Sequence, residues 1–215
     1  MVDIMNKPIF RLLRFIHLKH IRKKLKNNDF TMISNNCTAG FIYHDLGLQF
    51  KTPTINLFFK TDQYISFVKN LKYYLSCPLL ELKTKDYSYP VGVLKSYDKE
   101  HADIYVYFNH YDSFSNAKSK WNARKKRINF ENICFVLDFY DTAYDVKLID
   151  EFNELKSSNK IVFVHNKNIQ KDNCFCFNYV EEKIPNGKLF RYNGTSGKRY
   201  LDEFDYVSFI NCIRK

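Results

Sequence analysis

The chain has 215 residues, 45% of them apolar and 17% aromatic, with only 6 glycines and 5 prolines. These figures exclude a disordered or low-complexity segment and a domain too small to hold a core without disulfides or metal. The net charge is +11, from 34 Lys and Arg against 23 Asp and Glu; no run approaches the roughly 20 apolar residues a bilayer crossing needs, and no secretory signal is expected.

The charge is concentrated at the start. Residues 1–28 hold eight basic residues against Asp3, a net +7. Over 7–26 a helix is predicted, with Ile9, Leu12, Leu13 and Ile16 on one face and Lys7, Arg11 and Arg14 opposite. One reading docks this helix on an anionic membrane surface; the other packs it on the domain with a solvated basic face. Nucleic acid is disfavoured, because the basic residues come without interleaved aromatics.

From Asp29, β-rich runs alternate with helical patterns, so residues 29–215 are expected to form one α/β domain: a largely parallel sheet flanked by helices, with a mixed strand insertion. In chain order the expected strands are Phe30–Ser34, Thr54–Phe59, Glu81–Lys85, Val91–Leu94, Asp103–His110, Ile133–Asp138, Lys160–His165 and Cys174–Tyr179. Helices are expected near 39–46, 62–76, 113–127, 143–156 and 199–213, and turns at 185–187 and 193–197. The six cysteines lack zinc spacing, Cys174 and Cys176 being one residue apart, and read as reduced thiols of a cytoplasmic protein.

The strand ends carry the chemistry. Apolar runs stop at Ser34-Asn35-Asn36-Cys37, at Asn109-His110, at Asp138-Phe-Tyr-Asp141 and at His165-Asn166. In open α/β sheets ligands bind outside the carboxyl ends of the strands, so Asn35, Asn36, His110, Asp138 and Arg124 are expected to share one crevice. The Ser34–Gly40 turn opens a helix and suits an anion or oxyanion. Cys37 at that helix start, or Ser34, could act as a nucleophile, with His44, His110 or His165 as its base. On 113–127, Phe114, Ala117 and Trp121 share a face with Arg124, and an arginine turned inward needs a partner.

Several segments together resemble a known family. They are Ile33-Ser-Asn-Asn-Cys37, Gly40-Phe-Ile-Tyr43, Leu46-Gly47-Leu48, Thr52-Pro53-Thr54, Leu57-Phe-Phe59 and Tyr89-Pro-Val-Gly92. The most specific runs from His110-Tyr111 through Ser113-Phe114, Ala117, Lys120-Trp121 and Arg124-Lys125 to Arg127-Ile128-Asn129. They resemble an uncharacterised bacterial domain family whose members are often described as exopolysaccharide biosynthesis proteins. The resemblance covers about residues 29–180 and implies a place in surface glycan assembly: exopolysaccharide, capsule or lipopolysaccharide. Carried over by position are Ser34, Asn35, Asn36, Cys37, Gly40, Tyr43, His110, Trp121, Arg124 and Arg127. Asp138 and Asp141 are retained, but Phe139-Tyr140 stands where the family usually has arginine after the first aspartate, and the following glycine is missing.

The resulting expectation is a transferase acting on a sugar or lipid-linked sugar precursor, with acyl transfer placed ahead of glycosyl transfer. His110 would be the base, Asp138 or Asp141 would orient it, and Ser34, Asn35, Asn36, Gly40 and Tyr43 would form the substrate turn. Arg124 and Arg127 would hold phosphates of an acyl-coenzyme A or nucleotide-sugar donor, with no resident cofactor or metal. The alternative is a non-catalytic precursor-binding or membrane-docking accessory. Either would work in the cytoplasm or on the inner face of the cytoplasmic membrane.

Overall fold

A computed structural model describes residues 8–139, 146–178 and 187–213. Four parallel strands make the main sheet, in the order β1 (Thr31–Ser34), β5 (Ile133–Phe139), β6 (Lys160–Val164) and β7 (Cys174–Cys176). Side chains alternate along these strands, and the alternation builds two cores. Ile33, Phe135, Leu137, Phe139, Val162 and Val164 face one way. They pack against α3 (Thr61–Lys69), α4 (Leu71–Ser76), α5 (Phe114–Lys125) and α6 (Lys147–Asn153). Met32, Cys134, Val136 and Phe163 face the other way, toward α2 (Thr38–Leu46), α7 (Tyr206–Asn211) and Ile21 of α1 (Pro8–Lys24). The fold is α/β, as the alternating pattern requires.

A separate antiparallel sheet holds β2 (Leu79–Leu82), β3 (Val91–Leu94) and β4 (Ile104–Tyr107). The expected strand at Thr54–Phe59 is instead an extended connector. Thr54 Oγ1 accepts from Ser34 N–H at 3.2 Å, Phe59 N–H donates to Asn35 O at 2.8 Å, and Phe58 alone bridges to Tyr107. Hydroxyl side chains have taken the place of backbone rungs along the free edge of β1.

Other boundaries moved for local reasons. The helix expected over 62–76 breaks at Asn70, whose backbone leaves the helical region (φ −123, ψ 42). Ser113 caps α5 by accepting from Asn116 N–H. The helix expected over 199–213 is a 3-10 turn at Tyr200–Glu203 followed by α7, which Asp205 caps. Parts of the expected 143–156 helix, the 174–179 strand and the 185–187 turn lie outside the described residues.

The N-terminal helix departs most from expectation. Arg14, assigned by its spacing to a basic outer face, is 7% exposed. Its guanidinium donates to Asp45 Oδ2 at 2.5 Å and to Asp202 Oδ2 at 2.6 Å, and Arg199 donates to the same Asp45 oxygen at 2.5 Å. His17 Nε2 stands 3.3 Å from Asp202 Oδ1, and the Arg199 backbone N–H donates to Asp202 Oδ2 at 2.6 Å. Burial works against ionisation of Asp202, but His17, the Arg14 charge and that backbone N–H outweigh it and hold the carboxyl at about 2. Gly197 lets the helix come this close. It has φ +74, and a Cβ there would lie 2.6 Å from Arg14 N.

Candidate functional site

Two of the strand ends converge on the turn after β1, through the parity of the sheet. Asp138 lies on the same face as Cys134 and Val136, and His165 on the same face as Phe163, so both carboxyl-end side chains point toward the start of α2. Asp138 Oδ1 lies 2.6 Å from His165 Nε2, and Asn36 Nδ2 donates to Asp138 Oδ2 at 2.6 Å. Both the aspartate and histidine side chains are 3% exposed, and the imidazole stacks on Phe177 with the rings 13° from parallel. A carboxylate oxygen accepts, so in this contact His165 Nε2 is the donor and Asp138 Oδ1 the acceptor.

The turn is locked from below. Asn35 accepts from Asp138 N–H at 2.8 Å and donates to Asp138 O at 2.9 Å, so one carboxamide mimics a backbone rung where β1 leaves the sheet. Asn36 Oδ1 accepts from the amide and hydroxyl of Thr38, and Ser34 Oγ donates to Asn36 O while accepting from Ala39 N–H. Ser34, Asn35 and Asn36 thus spend their side chains on holding the turn and Asp138. Tyr43 does not line the turn. It lies on the buried face of α2, stacked on Phe30, with its hydroxyl donating to Phe30 O at 2.8 Å.

The other side of the turn opens on a cleft of about 420 Å³ lined by Cys37, Gly40, Phe41, His44, Phe50, Asn56, His110 and Arg199. Among these, Cys37, Gly40 and His110 belong to the expected site. Burial pushes the Cys37 thiol up to about 11, the opposite of what an activated nucleophile requires. Arg199 lies over the rings of Phe41 and Tyr192 at 4.9 and 5.3 Å while its charge engages Asp45. His110 is exposed, and its ring contacts Asn109 rather than Asp138.

Arg124 stands one layer behind the cleft wall, 5.2 Å over the Phe50 ring and donating to Tyr111 Oη at 2.6 Å. Among the described residues no carboxylate lies within 4 Å of it; the partner an inward arginine needs is here a phenol and a ring face. Arg127 donates to Phe50 O at 3.3 Å, Trp121 is buried beside Phe67, and Asn129 accepts no ligand role in these contacts but bonds Thr31 and Asp29 at the start of β1. Asp141 lies outside the described residues. Among the described residues no three His, Cys, Asp or Glu side chains gather as a metal-binding group.

The expected single crevice therefore resolves into a buried Asp138–His165–Asn36 cluster and an adjoining cleft, with Cys37 next to Asn36 in the turn between them. His165 was legible as a strand end but not as the partner of Asp138, because strand neighbours cannot be read from one sequence. The sequence marks His44 only as a base for Cys37, and Phe41, Phe50, Asn56 and Arg199 carry no local signal.

The profile of the family described as "Domain of unknown function (DUF1919)" matches residues 9–211. The chain belongs to this family. A Haemophilus influenzae protein described as uncharacterized is 33% identical over 200 residues, covering 92% of each chain. The DUF1919 match begins within α1 and ends within α7, so it takes in both Arg14 and Asp202 as well as the turn and the cleft.

Proposed function

We propose that this DUF1919 protein is a transferase acting on a sugar or lipid-linked sugar precursor of a surface polysaccharide, with acyl transfer ahead of glycosyl transfer. The observation that carries the reading is the His165–Asp138 pair at the carboxyl edge of the parallel sheet. A carboxylate that fixes the ring and stabilises its protonated form is what a general base needs. In this reading the base moves from His110, its expected position, to His165. A sugar hydroxyl gives its proton to His165 as its oxygen attacks the carbonyl of an acyl-coenzyme A. The C–O ester bond forms, the C–S bond breaks, and the proton passes to the departing thiolate. Arg199, His44 and His110 would meet the donor's phosphates at the cleft. The surface-glycan setting rests on the sequence resemblance.

A non-catalytic precursor-binding role is the second reading, favoured by the burial of the pair and by the raised Cys37 thiol. The test is mass spectrometry of the surface glycan from a deletion strain complemented with wild type, Asp138→Asn, His165→Gln or His110→Ala. Under the transferase reading, Asp138→Asn and His165→Gln accumulate as folded protein yet fail to restore an acyl group. Full restoration by both would refute it, and loss of the whole polymer only on deletion would favour the accessory.

A further inference from the structure

Helix α1 sits on the body the reverse of the way a surface helix buries its apolar stripe. Phe10, Arg14 and Ile21 face inward, while Ile9, Leu12, Phe15 and Ile16 are 66, 55, 62 and 53% exposed. Two observations explain the inversion: Arg14 is drawn between Asp45 and Asp202, and Gly197 lets the helix backbone down onto the 193–197 turn. The helix cannot roll its apolar face inward without withdrawing that arginine.

The outer face has an order of its own. Ile9, Leu12, Ile16, Lys19 and Lys23 follow one another at three- and four-residue steps, all exposed, so one stripe is apolar toward the N-terminus and basic toward the C-terminus. Leu13 and Phe15 flank it. The helix carries six basic residues and no acid.

We propose that this face docks on an anionic lipid bilayer, with the helix axis in the membrane plane. Ile9, Leu12, Phe15 and Ile16 would enter the boundary between headgroups and acyl chains, and Lys19 and Lys23 would reach lipid phosphates. The charge pattern selects this occupant. A second copy of the chain would bring two basic stripes together with no carboxylate on either helix to answer them. The helix is already held by buried ion pairs, so docking need not order it first. No helix among the described residues is long and apolar enough to cross a membrane, which agrees with a helix lying on the surface. This inference does not depend on the transferase reading.

The test is sedimentation of the full-length protein with vesicles of phosphatidylcholine alone or mixed with phosphatidylglycerol. Salt would be about 0.1 M and about 1 M, where the Debye length is ~10 and ~3 Å. We expect partition to require phosphatidylglycerol and to fall at high salt. Lys19→Gln/Lys23→Gln should weaken it about 25-fold, from about fivefold per basic residue. Leu12→Gln/Ile16→Gln should abolish it without moving the melting temperature, because both side chains are exposed. No binding to either vesicle, or equal binding to both at both salts, would overturn the proposal. So would a dimer in light scattering that Leu12→Gln/Ile16→Gln separates, since that assigns the face to a second copy.

Discussion

Replacing Arg14 with methionine keeps the length of the side chain and removes the one charge shared by Asp45 and Asp202. Breaking a buried ion pair by deleting one partner costs about 3–5 kcal/mol. Here Asp45 retains Arg199, and Asp202 retains His17 and the Arg199 backbone N–H, which places the loss near the lower end, about 3 kcal/mol. For a chain of this size that is a fall in melting temperature of about 6–12 °C. The pH dependence follows from Asp202. Its folded-state value of about 2 lies below its ordinary 3.8, so it adds about 2 kcal/mol that is fully present above about pH 4 and is lost as pH falls through about 2. Without Arg14 the folded-state value rises, so Arg14→Met should unfold at a higher pH on acidification than wild type. Thermal melts by circular dichroism across this range measure both effects, and Asp202→Asn alone and combined gives the coupling. If Arg14→Met melts within about 2 °C of wild type near neutral pH, the cluster does not hold α1 and the reasoning fails.

Cys37, with its thiol pushed up to about 11, should alkylate more slowly than exposed Cys212 near neutral pH; mass-spectrometric mapping that finds Cys37 modified first would contradict this. Asn35→Ala leaves both backbone groups of Asp138 without the carboxamide and should cost about 2–4 kcal/mol in urea unfolding. Gly197→Ala combines a left-handed backbone with a Cβ 2.6 Å from Arg14 N and should cost about 2–4 kcal/mol. Gly194→Ala has φ +63 but nothing within 4 Å, so about 1 kcal/mol is expected there; equal losses at the two glycines would show that α1 does not press on Gly197.

The sheet was legible because Ile133–Leu137 and Ile161–Val164 are short, continuous, β-branched-rich apolar runs, the pattern of strands buried on both faces. Strand ends were legible too, and Asp138, His165 and Asn36 do meet. Which ends meet was not. His110 follows β4, and β4 belongs to the antiparallel sheet, so its end delivers His110 to the cleft rather than to Asp138. Thr54–Phe59 looked like a strand because β-branched and aromatic residues favour extended backbone, but its one threonine, Thr54, meets β1 through its hydroxyl. The two faces of α1 were clear from spacing. Which face turns inward depended on Asp45 and Asp202, the latter 188 residues away from Arg14.

That separation bears on how the protein comes to be assembled. At about 5–20 residues per second, ribosomes need roughly 10–40 s to advance from Arg14 to Asp202. During that interval the first helix has emerged, while half of the carboxylate seat that receives it has yet to be made. A newly made chain therefore passes through a stage in which the helix is tethered but unseated, with both its greasy and its charged sides available to whatever surface is near. Closure of the N-terminal seam therefore waits on the last part of the chain, with a delay set by the linear distance between one arginine and one aspartate.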